Sequence, residues 1–298
     1  MSTSIKYRLP EIIGVGPGRT GTTWLHRVLE GHVDLPWGVK ETKFFNRYYS
    51  KGIDWYAHHF RHATGKRKIV EVCPYLFKAE APDRIKAYMP NCRVVTTLRD
   101  PVEVTFSVYK MNIHYAWARG SFDEVLKARP DLAGGNRYAF YLEKWFETFG
   151  RENVLVTLYD ELRAQPQSYL DRITDFMGIE HIALSSRPEI GNDVHSFARK
   201  PRSRKLARKA RKLMDWLQVH QAYGVSNLLE RTRVYDFCYG RGELFPRLTA
   251  EQEERLRERY LPEVEALEEL LSIDLSAWKE PLAAQRPAER RTPSLSVG

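Results

Sequence analysis

The residues whose types and spacing suit chemistry cluster in the first third of the chain. Gly16-Pro17-Gly18-Arg19-Thr20-Gly21-Thr22-Thr23-Trp24-Leu25 follows a short apolar run, Glu11 to Val15, and leads into Trp24, Leu25, Val28 and Leu29 at helical spacing. A glycine-rich turn between a strand and a helix amino terminus aims several backbone N–H groups at one point. The helix dipole adds positive potential there, so the point holds a phosphate. The spacing mimics the Walker A pattern, but Thr22 stands where that pattern has lysine. A kinase or ATPase needs that lysine on the β- and γ-phosphates. Here the cation has moved inside the loop, to Arg19.

A second cluster is Leu98-Arg99-Asp100-Pro101, with Ser107 eight residues after Arg99. Arg99 closes an apolar run, and ligands of open α/β sheets bind outside the carboxyl ends of strands. A planar guanidinium and a hydroxyl make a good phosphate clasp. A Walker-type enzyme has an aspartate at this kind of strand end, to organise Mg²⁺. Arg99 in its place favours a monoester phosphate held without metal. A third cluster, Gly38-Val39-Lys40-Glu41-Thr42-Lys43-Phe44-Phe45, sets one carboxylate between two lysines and next to two aromatic rings. Glu71-Val72-Cys73-Pro74-Tyr75 follows another apolar run, so it too is expected at the cleft.

These residues need a scaffold, and the apolar pattern supplies one. Runs at Glu11–Val15, Lys68–Val72, Arg93–Leu98 and Asn153–Leu158 read as buried strands. Helical patterns lie between and after them, at Pro82–Met89, Val102–Trp117, Tyr138–Phe149 and Gln167–Met177. Apolar strands alternating with helices argue for a parallel sheet of four or five strands covered on both faces. Further amphipathic helices are expected at Arg204–His220 and Ala250–Leu271, the second interrupted at Pro262. The expected fold is therefore a single α/β domain over residues 8–282, with a phosphate-binding loop after the first strand and extra helices at the carboxyl end. Residues 283–298, rich in Pro, Ser and Arg, read as a disordered tail.

The formal net charge is +9. Nine bases and no acid fall between Arg199 and Lys212, so that segment alone matches the whole excess. Such a patch implies an anionic partner. A nucleic-acid module would not need the two phosphate clusters, and no nucleic acid is expected. The three cysteines, Cys73, Cys92 and Cys238, are widely spaced and read as reduced thiols. The sequence shows neither a signal core nor a long apolar span, which gives an expectation of a cytoplasmic protein.

The first two clusters together resemble the two signatures for 3′-phosphoadenosine 5′-phosphosulfate (PAPS) in the sulfotransferase family. The resemblance implies a P-loop-like fold and a sulfotransferase that uses PAPS, releases 3′,5′-ADP and requires no metal. It places Arg19, Thr20, Gly21, Thr22, Thr23 and Trp24 at the 5′-phosphosulfate, and Arg99 and Ser107 at the 3′-phosphate. Arg199, Lys200 and Arg202 lie where the family often closes a late loop over the nucleotide. The Lys40-Glu41-Thr42-Lys43-Phe44-Phe45 segment resembles that of the glycosaminoglycan (heparan-type) and bacterial members. By position Glu41 would be the general base, with Lys40 and Arg19 as cations at the transferred group. In-line transfer needs a base in reach of the acceptor proton and positive charge on the sulfonyl and bridging oxygens. Lys40 and Lys43 would pull the Glu41 pKa down, and burial would oppose them. His32, His58, His59, His62 and His114 are rival bases, because the cytosolic branch of the family uses histidine. The acceptor is expected to be a hydroxyl or amine of a glycan, glycolipid or small molecule, with membrane contact through 199–212 a further option. A P-loop kinase or NTPase with a degenerate Walker loop is the alternative.

Overall fold

A computed structural model of the chain describes residues 6–134, 137–187, 190, 199–220, 224–225, 228–229 and 241–282. The expected tail and Cys238 lie outside these residues. Four strands, β1 (Ile12–Gly16), β2 (Val70–Val72), β3 (Arg93–Leu98) and β4 (Val154–Leu158), form one sheet in the order β2-β1-β3-β4. Every neighbouring pair is parallel. The strands therefore open into four loops at a single edge.

Both faces of the sheet are covered, which is why these strands are apolar throughout. On one side α1 (Thr22–Leu29) packs Trp24, Leu25, Val28 and Leu29 with Val72, Val95 and residues such as Leu170 and Ile173 of a later helix. On the other side Ile13, Val15 and Val94 meet a core rich in aromatic rings, among them Phe44, Tyr56, Tyr75, Tyr138 and Trp145. Alternate residues of β1 thus serve opposite layers, as strand geometry requires.

Further α-helices follow in chain order. They are α2 (Ile53–Ala57), α3 (Ala81–Tyr88), α4 (Pro101–His114), α5 (Phe122–Ala128), α6 (Asp131–Gly134), α7 (Tyr138–Phe149), α8 (Tyr159–Ala164) and α9 (Pro166–Met177), then α10 (Arg204–Val219) and α11 (Ala250–Leu271). Asp100 caps α4 by accepting from Val102 N at 2.8 Å, and Pro101 fits the first turn, where no N–H is needed. Thr249 and Gln252 form a capping box at the start of α11. Pro262 does not end α11, which stays one helix and buries Leu256, Tyr260, Val264 and Leu267 against the core. A two-stranded antiparallel pair, β5 (Arg199–Pro201) with β6 (Arg241–Leu244), was not expected from the sequence. Its strands are only three and four residues long and carry charge, so they show no apolar run. Among the described residues, no helix is long and apolar enough to cross a membrane. Cys73 and Cys92 are buried free thiols.

Candidate functional site

The loop after β1 is built on left-handed backbone. Gly16 has φ 84°, Arg19 φ 75° and Gly21 φ 89°. A Cβ on Gly21 would stand 2.8 Å from Leu162 Cδ2, so this position requires glycine for space as well as conformation. Thr22 opens α1 immediately after it. The Thr20 side chain is fully buried and donates to the Pro17 carbonyl at 2.8 Å. Trp24 is buried edge-on against Tyr169. Neither of these two side chains reaches the open mouth of the loop.

Arg19 turns toward α4, and its Nε donates to Ser107 Oγ at 2.9 Å. Arg99, at the end of β3, donates from Nη1 to the Arg19 carbonyl at 2.9 Å. The first two sequence clusters therefore form one site. Burial first, and then the Arg99 charge, lower the Arg19 pKa, although a guanidinium keeps its proton. Two cations held this close create a strong positive potential at the strand edge.

Several groups fix Arg99. Its Nε donates to Glu103 Oε2 at 2.6 Å, and its guanidinium lies 4.3 Å from the Tyr159 ring centre. Tyr138 Oη donates to its carbonyl at 2.8 Å. Arg163 also binds Glu103, at 2.9 Å and 3.2 Å, and covers the Tyr159 ring. Burial raises the Glu103 pKa, but Arg99 and Arg163 outweigh it and hold the carboxyl ionised. Sequence reading missed Glu103, Arg163 and Tyr159. The spacing of Arg99 and Glu103, four apart at a helix start, was the available signal for the first of them.

Glu41 and Lys40 lie on the other side of the loop. Lys40 Nζ donates to Glu41 Oε1 at 2.7 Å and reaches Thr22 Oγ1 at 3.4 Å. Both side chains are partly open, at 27% and 23% exposure for Lys40 and Glu41. Burial pushes the Glu41 pKa up, but Lys40 and Lys43 overcome it and the net shift is downward. Glu41 is thus an ionised carboxylate beside the phosphate loop. His26, one turn along α1 from Thr22, was also missed. Its side chain is 12% exposed, and burial and Lys40 lower its pKa to about 4.

The rival histidines are placed differently. His59 is buried, with Nδ1 3.0 Å from the Tyr56 carbonyl, and burial lowers its pKa to about 4. His58 meets Tyr7 edge-on, and His114 Nδ1 faces the Arg199 carbonyl at 3.2 Å. Glu71 corrects an expectation. It is fully buried rather than exposed at the cleft, because Thr42, Tyr56 and Tyr75 enclose its carboxyl.

The basic segment sits beyond the far end of α4. Arg199 donates to the Gly242 carbonyl at 3.1 Å, Lys200 pairs with Glu243 at 3.2 Å, and Arg202 is exposed. Helix α10 packs Ala207 against Ala116. Its Arg211 guanidinium lies 5.3 Å and 5.2 Å from the rings of Tyr115 and Trp117 and binds Asp215 at 2.8 Å. Asp215 also meets Arg47, six residues after Glu41, at 3.6 Å. Lys205, Arg208, Lys209 and Lys212 point outward. The helix thus bridges the end of α4 and the turn that follows Glu41.

Residues 9–217 match the family model of the sulfotransferase domain. Bifunctional heparan sulfate N-deacetylase/N-sulfotransferase 3 of Homo sapiens is 30% identical over 196 residues, covering 58% of this chain and 22% of the human protein. The corresponding protein 1 of Mus musculus is 29% identical over 213 residues, covering 62% of this chain and 24% of its own. The matched part therefore spans less than a quarter of these relatives. A crystal structure of a sulfotransferase from Alicyclobacillus acidocaldarius superposes with a TM-score of 0.65 at 21% identity, over 92% of this chain and 100% of that one, a likeness of fold. With the domain match running through β1, the phosphate loop, β3 and α4, the chain belongs to the sulfotransferase family.

Proposed function

We propose that the protein transfers a sulfuryl group from PAPS to a hydroxyl or amine of an anionic carbohydrate, with Glu41 as general base. The reading rests on the convergence of Arg19, Ser107 and Arg99 at one end of the loop and Lys40, Glu41 and Thr22 at the other. The donor set fits the nucleotide. Left-handed glycines leave room for an anion against backbone N–H groups, and the flanking side chains are guanidinium, ammonium and hydroxyl. Gly21, Thr22 and Thr23 would cradle the 5′-phosphosulfate. Arg99 and Ser107 would read the 3′-phosphate, with Arg199, Lys200 and Arg202 as candidates for closure over it. When bound, PAPS supplies an activated sulfuryl group on a phosphate leaving group.

Glu41 takes the acceptor proton as the acceptor oxygen or nitrogen bonds to sulfur. The bond from sulfur to the 5′-phosphate oxygen breaks, and its electron pair leaves with that phosphate. Lys40 and Arg19 stand against the negative charge that grows on the sulfonyl and leaving oxygens. The lowered Glu41 pKa keeps the base ionised at neutral pH. The outward bases of α10, next to the turn after Glu41, suit an acidic glycan.

The deciding experiment is thermal stability with 3′,5′-ADP, Mg·ATP and AMP, because a ligand of the native state raises the melting temperature. Stabilisation by 3′,5′-ADP that is lost in Arg99→Ala supports the reading. A response to Mg·ATP alone assigns a kinase or NTPase instead. For the acceptor, retention on heparin that is lost in a Lys205/Arg208/Lys209/Lys212→Ala variant supports the glycan. Sedimentation with phosphatidylserine vesicles and no heparin retention would assign the face to a membrane surface.

A further inference from the structure

Residues 39–43, which include Glu41, belong to no helix or strand. A buried side chain from β2 anchors them. Glu71 Oε1 accepts from Thr42 N at 3.1 Å and from Thr42 Oγ1 at 2.5 Å. Glu71 Oε2 accepts from Tyr56 Oη at 2.8 Å, and the Tyr75 hydroxyl lies 3.4 Å and 3.5 Å from the two oxygens. Thr42 Oγ1 in turn accepts from Phe44 N at 3.2 Å. Lys43 is held at φ 55°, a conformation uncommon for a side chain other than glycine. Glu71 and Thr42 are 0% and 1% exposed.

A buried carboxyl whose hydrogen-bond partners are amide and hydroxyl groups, with no cation among them, is expensive to keep. Burial pushes its pKa up to about 7 against those same hydrogen bonds. An apolar side chain would fill the space at lower cost, but it would leave the Thr42 N–H without this acceptor. Glu71 also pairs in register with Ile13 of β1, three residues before the phosphate loop begins. The loop and the Glu41 segment are therefore referenced to adjacent strands.

We propose that Glu71 is a positioning residue for the Lys40–Glu41 pair: its carboxyl fixes the Thr42 main chain and thereby sets where Glu41 stands relative to Thr22. This rests on Glu41 as the base. A displacement of about 1 Å at the reacting groups costs up to about 100-fold in rate. Glu71→Gln keeps the size of the side chain but replaces one oxygen by an NH2 group, which can accept a hydrogen bond from neither Thr42 nor Tyr56. Turnover should be counted per 3′,5′-ADP-binding site, so that unfolded protein does not enter the rate. The expected result is a kcat lower by about 10- to 100-fold, with the PAPS KM and the 3′,5′-ADP Kd within about threefold. The acid limb of the kcat profile should move to higher pH as the Lys40–Glu41 pair loosens. A kcat within twofold of wild type with an unmoved acid limb overturns the proposal. If Glu71→Gln does not fold, Thr42→Ser and Thr42→Val carry the test. Serine should restore most of the rate and valine should not, and equal rates in the two overturn the proposal. Normal turnover in Glu41→Gln would sink the base assignment separately, whatever Glu71 does.

Discussion

Arg19 Nε and Ser107 Oγ are 2.9 Å apart, although 88 positions separate them in the chain. The bond exists because β1 and β3 are hydrogen-bonded neighbours, with Gly16 paired to Thr96. The loop after one strand and the helix after the other therefore open at the same edge. Thr96 Oγ1 donates to the Gly16 carbonyl and fixes the start of the loop. Arg99 then binds the Arg19 carbonyl from the same side as Ser107. A residue assigned to the 5′ end of the nucleotide and one assigned to its 3′-phosphate are thus in direct contact, and each helps to orient the other.

Arg99→Ala should weaken 3′,5′-ADP by about 10- to 100-fold, since a charge-assisted hydrogen bond contributes roughly 1.5–3 kcal/mol and 1.4 kcal/mol is a factor of ten. AMP, which lacks the 3′-phosphate, should change far less. Calorimetric titration with both nucleotides checks this. An equal loss for both would mean that Arg99 supports the loop through its bond to the Arg19 carbonyl and does not read the 3′-phosphate.

Glu41→Gln should lower kcat by about 10²- to 10⁴-fold, the usual contribution of a general base. It should leave 3′,5′-ADP affinity within about threefold, because the carboxylate has no place among the phosphate ligands. Single-turnover measurements at saturating PAPS separate the two effects. The sign of the pH dependence follows from the lowered pKa. The active, ionised form persists below the ordinary carboxylate value, so the rate should stay flat through pH 5 and fall only in stronger acid. A fall near pH 6.5 would point to a histidine.

Much of this was legible in the sequence because each signal was local. The Glu11–Val15 run, the glycines of the loop and the Trp24–Leu29 spacing lie within 19 consecutive residues, and the helix they predict starts at Thr22. Arg99 lies in the short turn between β3 and α4, and Ser107 lies on α4, so a local stretch of sequence carries both. Glu71 was misplaced because a residue at a strand end faces the cleft or the layer beneath it, and the sequence does not say which. The choice was made by Thr42, Tyr56 and Tyr75, which surround it from three different segments. Arg163 escaped notice for a similar reason. It reaches Glu103 across 60 residues, and no local spacing encodes that contact.

Gly21→Ala should damage the loop more than most single substitutions. The left-handed backbone alone costs a side-chain-bearing residue roughly 1–2 kcal/mol, and the new Cβ would press on Leu162 at 2.8 Å. A melting temperature lower by several degrees is expected. Loss of 3′,5′-ADP binding should exceed the loss of stability, because the loop supplies the N–H groups that hold the phosphate. Wild-type affinity in a folded Gly21→Ala protein would contradict the loop's assignment.

The stability of the fold should carry a pH signature from Glu71. Its pKa in the folded chain is pushed up to about 7, against an ordinary value of 4.5. Between those two values the unfolded chain has released the proton while the folded chain keeps it. The folded state then binds more protons, so this group's contribution falls as pH rises. At 1.36 kcal/mol per unit the change amounts to about 3 kcal/mol, complete above pH 7. His26 and His59 act in the opposite sense over a similar window, since burial lowers both to about 4 and folding is opposed as they must shed protons. The wild-type profile alone therefore mixes two signs. Its difference from Glu71→Gln removes the histidines, which both proteins share. Denaturant unfolding of the two proteins from pH 4.5 to 7.5 should show the variant gaining about 3 kcal/mol relative to wild type as pH rises. A difference that stays flat would mean that the hydrogen bonds from Thr42 and Tyr56 keep Glu71 ionised throughout.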